Sequence, residues 1–246
     1  MSALGFYELL TKTYWLAGFS GKLTFLLIFV MLLQPAFKKR DELVLALFGA
    51  QFIMLAYNLF TEVQNSLPET MNKTTLLILV ILSFVLALCM VITAIKPEGS
   101  LQIRWRGSAL QWLGVGAVGF GFFYPLFTQN LVQALFASSV SILPHPTLYV
   151  ILGVMLLVHP NAPRLAMLSA AVGAIALGVV DYRLGINSTV PLALLGAFLL
   201  GLQVFGAIRT GGVLQDDLPP VDVERFKKSR AVVSKKADKE RTWKLK

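Results

Sequence analysis

Residues 74–95 read TTLLILVILSFVLALCMVITAI, and this stretch decides the fold class. Its 22 residues include no charged side chain. At 1.5 Å per residue, a helix of this length extends about 33 Å, which is enough to cross a hydrocarbon core about 30 Å thick. The stretch therefore predicts a transmembrane helix.

The composition of the whole chain agrees with a membrane location. Hydrophobic types make up 56% of the 246 residues, and the mean hydropathy is +0.71. Charged residues are 14% of the chain, against about 25% in an ordinary soluble domain. A soluble fold of this length needs more polar side chains to cover its surface, so the composition excludes a soluble fold class.

Six further apolar runs surround the first stretch. They cover residues 16–37, 43–60, 108–127, 146–159, 165–180 and 190–208. The run at 146–159 is short, because its 14 residues extend only about 21 Å as a helix. We predict an all-α polytopic membrane bundle of about seven transmembrane helices. Five spans are the alternative, if the short fifth and the sixth run form a re-entrant hairpin.

The distribution of Lys and Arg predicts the orientation, because basic residues favour the cytoplasmic side of a membrane. Eighteen of the 22 fall in the C-terminal tail and in alternate loops, beginning with the loop after the first run. The opposite side and its flanks hold four: Lys12, Lys22, Lys73 and Arg183. This asymmetry predicts an N-terminus outside the cell and a C-terminus in the cytoplasm.

The chain is predicted to divide after residue 208. Residues 1–208 form a transmembrane helical domain, and residues 209–246 form a basic cytoplasmic tail that is flexible or partly helical. Because the tail holds eleven of the 22 Lys and Arg, we expect it to bind anionic lipid headgroups. Charge concentrated beside the membrane explains the sequence pI of about 9.8 better than nucleic-acid binding does, and no nucleic-acid partner is predicted.

We find no complete catalytic, metal or cofactor motif in the sequence. Cys89 is the only cysteine, which excludes an intrachain disulfide. His145 and His159 lie at opposite ends of the fifth run, about 20 Å apart on a helix, which is too far to share a haem or a metal. Residues 114–119 match G-x-G-x-x-G, but inside an apolar run this pattern predicts close helix packing rather than dinucleotide binding. We expect no enzyme activity, metal or cofactor.

Small residues mark a second packing face. Ala170, Ala174 and Gly178 repeat every four residues, so they line one ridge of the sixth run. Such ridges allow helices to approach closely in a bilayer. The ridge predicts packing within the chain, with an oligomer contact as the alternative. By contrast, Ala87 lies in the uniformly apolar third run, where a larger side chain is expected to be less harmful if that run faces lipid.

The outer end of the last runs is the candidate site. The segment 144–146, Pro-His-Pro, breaks an apolar stretch at membrane depth, where freed backbone groups need protein or a water-filled cavity to satisfy them. Polar residues end the neighbouring runs on the same predicted side. We predict a polar cluster there, with these members: Gln129, Asn130, His145, Asp181 and Arg183. The alternative is that they are ordinary loop residues that meet headgroup water.

The order of features in the last half resembles a family of uncharacterised bacterial multi-pass membrane proteins, classed as a domain of unknown function. In that family a Pro-Thr pair opens a short apolar span, and a Pro-marked turn precedes an Ala/Gly-rich span that ends in Asp. The matching residues here are Pro146, Thr147, Pro163, Ala170, Ala171, Gly178 and Asp181. The resemblance covers about residues 5–205. It implies a location in the bacterial inner membrane, and it implies no biochemical activity.

Three functions are compatible with these patterns. The first is a non-enzymatic membrane protein, either a stand-alone bundle or an accessory subunit that binds other membrane subunits. The second is a small-solute transporter or channel with a site near the broken fifth run. Polar side chains that could line its path are Gln51, Tyr57, Asn58, Gln111, Tyr124 and Gln203. The third is a membrane enzyme or quinone-binding anchor, which the scarcity of ligating residues disfavours.

Overall fold

The described residues of the computed structural model are 10–11, 13–34, 39–64, 73–96, 101–124, 140–183 and 189–209. They fold into seven α-helices, which confirms the predicted all-α class. In chain order the helices are α1 (Trp15–Leu33), α2 (Arg40–Gln64), α3 (Lys73–Ile95), α4 (Ala109–Phe122), α5 (Pro144–Val158), α6 (Arg164–Arg183) and α7 (Val190–Arg209). The chain divides into two compact units, residues 1–203 and residues 204–246.

Four of these helices, α1, α2, α3 and α6, are long and apolar enough to cross a membrane. The other three, α4, α5 and α7, are apolar but offer shorter described apolar stretches. This result confirms the prediction of a helical membrane protein. The structure describes the tail only as far as Arg209, so the predicted boundary after residue 208 and the properties of the tail stay predictions.

The most apolar of the four long helices, α3, is buried along one side only. Its buried side packs against α2 and α6, and the other side exposes a stripe of large apolar side chains: Leu77, Ile78, Ile81, Phe84, Val85, Leu88, Val91, Ile92 and Ile95. A stripe of this size suits lipid rather than water. The condition set for Ala87 is not met, because Ala87 does not lie on the exposed side of α3. Ala87 is buried, because it lies on the side where α2 approaches close to its backbone at Gly49.

The helix α5 is the centre of the packing, because all of its residues are buried. Its closest neighbour is α4. A Cβ added to Gly114 would lie 2.8 Å from the carbonyl oxygen of Gly153, and one added to Gly153 would lie 2.7 Å from that of Gly114. Gly116 and Gly119 have open space where a Cβ would be. Among the three glycines of the segment 114–119, Gly114 alone is required for this close packing.

The ridge on α6 packs inside the chain, as predicted. Ala170, Ala174 and Gly178 are all buried. A Cβ added to Gly196 of α7 would lie 3.1 Å from the Cβ of Ala174 and 2.6 Å from the carbonyl oxygen of Ala171. Small residues on both helices thus bring the α6 and α7 backbones together.

Candidate functional site

The candidate site lies where residues 140–143 lead into α5. Ser141 is fully buried, and its backbone φ of 67° lies in the left-handed region that residues other than glycine rarely adopt. Gly21 of α1 lies against it, so that an added Cβ would come within 2.7 Å of the Ser141 Cβ. A residue larger than glycine at position 21 would displace this buried turn.

The start of α5 lies near the middle of α2. The Ser141 hydroxyl donates to Oε1 of Gln51, which is 11 residues after the first residue of α2 and 13 before the last. These separations correspond to about 16 Å and about 20 Å along the helix. At the other end of α5, the carbonyl of Leu157 accepts a hydrogen bond of 3.2 Å from Nε2 of Gln111 in the first turn of α4. The helix therefore runs from mid-depth to one end of the bundle.

The Thr147 hydroxyl forms hydrogen bonds with backbone groups that the start of α5 would otherwise leave without partners. The backbone N–H of Ser141 donates to Oγ1 of Thr147 at 2.8 Å, and the Thr147 hydroxyl donates to the carbonyl of Leu143 at 2.8 Å. Pro144 and Pro146 have no N–H, which removes two of the donors that a helix start leaves without a partner. Protein groups thus replace water at this buried break, as a bilayer requires.

Beside this turn lies a buried pair of ionisable side chains. His145 of α5 places its Nδ1 3.6 Å from Oδ2 of Asp181 on α6, and both side chains are 0% exposed. Charged groups taken out of water are costly unless they are paired. At this distance the imidazole and the carboxyl group interact electrostatically, and their burial makes both depend on polar groups inside the protein.

Tyr124 borders this pair, and Tyr149 lies about one helical turn after His145 on α5. The ring of Tyr124 meets the His145 ring edge-on, with a centroid distance of 4.5 Å. Tyr149 packs against Phe120 at 4.7 Å, and its hydroxyl is buried without a hydrogen-bond partner among the described residues. Buried hydroxyls are nearly always bonded. The Tyr149 hydroxyl is therefore a polar group that a bound ligand or water could satisfy.

Polar residues also follow one face of α2 from this region towards its end. Gln51, Asn58 and Glu62 are separated by seven and four residues, which places them on one side of the helix. Asn58 is buried, and its Nδ2 has no hydrogen-bond partner within the described ranges. Glu62 accepts a hydrogen bond of 2.8 Å from the Tyr14 hydroxyl. Burial and this bond raise the pKa of Tyr14 to about 12, so it remains a donor at physiological pH.

The structure brings together two of the five residues in the predicted cluster, His145 and Asp181. Arg183 is exposed at the end of α6 and does not join the buried pair. Gln129 and Asn130 lie outside the described residues. The alternative that these residues meet headgroup water does not fit the burial of His145 and Asp181.

Sequence reasoning missed two parts of the site, Ser141 and Gly21. Neither has a distinctive local pattern, and only the folded turn shows why they are adjacent. Gln51 and Asn58 were among the residues that could line a path, and their seven-residue spacing in an apolar helix was the available signal.

No metal centre forms in the part of the chain that the structure describes, where His, Cys, Asp and Glu make no group of three that could hold an ion. His159 lies one residue beyond the opposite end of α5 from His145, and burial lowers its pKa. The chain matches no family model, no curated protein and no solved structure. The fold and its apolar helices define the class, a helical membrane protein, and the family resemblance stays a prediction.

Proposed function

We propose that this chain is a multi-span, non-enzymatic protein of the bacterial inner membrane that moves a small polar solute or ion. The observation that carries the proposal is the buried pair of His145 and Asp181 beside a helix that begins at mid-depth. Ionisable residues inside a membrane are costly, and they commonly mark a substrate or ion pathway. The break at the same depth places the polar side chains of Ser141, Thr147 and Gln51 inside the bundle, where they bond to one another and to the backbone.

The polar face of α2 supports a path to this site. Gln51, Asn58 and Glu62 extend over 11 residues, or about 16 Å, from the start of α5 towards the end of α2. Asn58 and Tyr149 each have a buried polar atom with no hydrogen-bond partner among the described residues. Such atoms are suited to a passing polar solute.

The charge distribution of the folded chain supports the orientation. At the end of the bundle where Gln111 contacts Leu157, the described basic residues are Lys39, Arg40, Lys96, Arg104, Arg106 and Arg164. At the opposite helix ends, the described exposed basic residues are Lys73 and Arg183. The positive-inside rule then favours a cytoplasmic location for the first group, an outer N-terminus and an inner C-terminus.

A flux assay with a matched variant tests the proposal. The protein is reconstituted into liposomes, and light scattering follows the entry of a panel of small neutral and charged solutes. A pH dye inside the liposomes follows protons. We expect at least one species to enter faster than in protein-free liposomes, and His145→Leu/Asp181→Leu to reduce that excess rate at least tenfold. Equal rates in the wild type and the double variant would overturn the assignment of the path to this site.

An accessory subunit of a membrane complex is the second candidate. It would use the exposed apolar faces of α3 and α7 as contacts for other subunits, although lipid explains those faces equally well. Extraction in mild detergent separates the two candidates. Stable copurifying subunits would favour the accessory function, whereas recovery of the chain alone would count against it.

A further inference from the structure

The segment 101–108 lies between α3 and α4 and is tied to the ends of three helices. The backbone N–H of Leu101 donates to Oδ1 of Asp41 at 2.9 Å, in the first turn of α2. The backbone N–H of Ile103 donates to the carbonyl of Leu32 at 3.3 Å, in the last turn of α1. These bonds hold an extended segment, which has no hydrogen-bond ladder of its own, across the end of the bundle.

Gln111, in the first turn of α4, fixes the next part of the segment. Its Nε2 donates to the carbonyl of Arg104 at 2.8 Å, and its Oε1 accepts from the backbone N–H of Arg106 at 2.7 Å. Gln111 is buried, and it also forms a capping box with Ser108. One buried amide thus holds the backbone of both arginines in a single conformation.

The side chains of the fixed segment face outward. Arg104, Trp105 and Arg106 are all exposed. The Trp105 ring meets Trp112 of α4 edge-on at 5.2 Å, and these two rings are 52% and 61% exposed. We call Arg104, Trp105, Arg106 and Trp112 the Arg-Trp surface. Exposed tryptophans beside apolar helices are typical of the membrane–water interface.

We propose that the Arg-Trp surface binds the phosphate of an anionic phospholipid headgroup. A guanidinium matches the geometry of phosphate oxygens, and tryptophan packs at the level of the headgroups. Gln111 holds the backbone before binding, so little backbone entropy is lost when a lipid binds. The inference requires only that the chain lies in a membrane, and it does not depend on the proposed transport.

Two double variants of the full-length chain test this site, because each removes two positive charges. Arg104→Gln/Arg106→Gln changes the Arg-Trp surface, and Lys73→Gln/Arg183→Gln changes exposed residues at the opposite helix ends. Titration with phosphatidylglycerol in neutral detergent, followed by the unfolding temperature or by native mass spectrometry, gives the apparent affinity. Phosphatidylcholine is the neutral-lipid control.

We expect the wild type to bind phosphatidylglycerol in preference to phosphatidylcholine. Because each Arg near an anionic surface contributes on the order of 1 kcal/mol, the Arg104→Gln/Arg106→Gln variant should lose about 30-fold in affinity. The Lys73→Gln/Arg183→Gln variant should lose less than about threefold, because its charges lie away from this surface. The unfolding temperatures of all three proteins without lipid should agree.

Three results would overturn the proposal. Equal losses of lipid affinity in the two double variants would show that binding depends on the net charge of the chain, including its basic tail. It would then not depend on a particular site. Equal binding of both lipids would remove the anionic headgroup as the ligand. An equal stabilisation by inorganic phosphate at the same concentration would replace the lipid with a soluble anion.

Discussion

Two helices of nearly equal apolar character, α3 and α5, have opposite environments. The 23 residues of α3 expose a continuous stripe of large side chains, whereas none of the 15 residues of α5 is exposed. Apolarity alone therefore does not separate a lipid-facing helix from the centre of a membrane protein. Length alone does not separate them either, because α4 is shorter than α5 and yet exposes Trp112, Leu113 and Val115. What distinguishes α5 is its start at a Pro-marked break and its position among the other helices.

The largest loss of stability is expected from a substitution at Gly153, where α5 has no space for a side chain. Gly153→Leu should destabilise the protein by at least about 3 kcal/mol, since its Cβ would meet the backbone of Gly114 and Val118 within 2.8 Å. Gly116→Leu is the matched control on α4, because nothing lies within 4 Å of its added Cβ. Unfolding in mild detergent measures both. A similar loss in the control would contradict the α4–α5 packing.

Truncation of one leucine on each helix tests the comparison itself. Leu152→Ala in α5 should cost about 2–5 kcal/mol, because it leaves a cavity among buried side chains. Leu88→Ala in α3 should cost less than about 1 kcal/mol, since Leu88 is 59% exposed and lipid can fill the space. The same unfolding assay applies. Equal costs would mean that α3 and α5 do not differ in environment.

A smaller difference in stability is expected when each of two buried threonines is replaced by valine. Thr147→Val should cost about 1–3 kcal/mol, because it leaves the backbone N–H of Ser141 without its acceptor. Thr93→Val in α3 should cost less than about 0.5 kcal/mol, since the Thr93 hydroxyl only adds a bond to the carbonyl of Cys89 within its own helix. A larger loss of stability for Thr93→Val than for Thr147→Val would contradict the hydrogen bonds described at the start of α5.

The helices were largely predictable because each apolar run has its own local signal. The predicted run 74–95 differs by one residue from the helix Lys73–Ile95, and the run 165–180 lies inside Arg164–Arg183. The fold of α5 was only partly predictable. Its short length and the prolines were visible, but its complete burial depends on neighbours that are distant in the sequence.

The residue types of the candidate site were predictable from the sequence, but their arrangement in space was not. His145 and Asp181 stand out in the sequence as polar residues beside apolar runs, yet 36 residues separate them and no local pattern predicts their contact. Ser141 was missed because a serine in an apolar stretch is common. Its positive φ and its hydrogen bond to Gln51 arise only when α1, α2 and α5 meet.

A thermodynamic cycle on His145 and Asp181 tests the central claim, a functional pair buried at the start of α5, most directly. Unfolding in mild detergent is measured for the wild type, His145→Leu, Asp181→Leu and the double variant. Because the two side chains are buried beside each other, the double variant should cost less stability than the sum of the two single variants, and it should lack solute flux. Additive costs, or full flux in the double variant, would contradict the account.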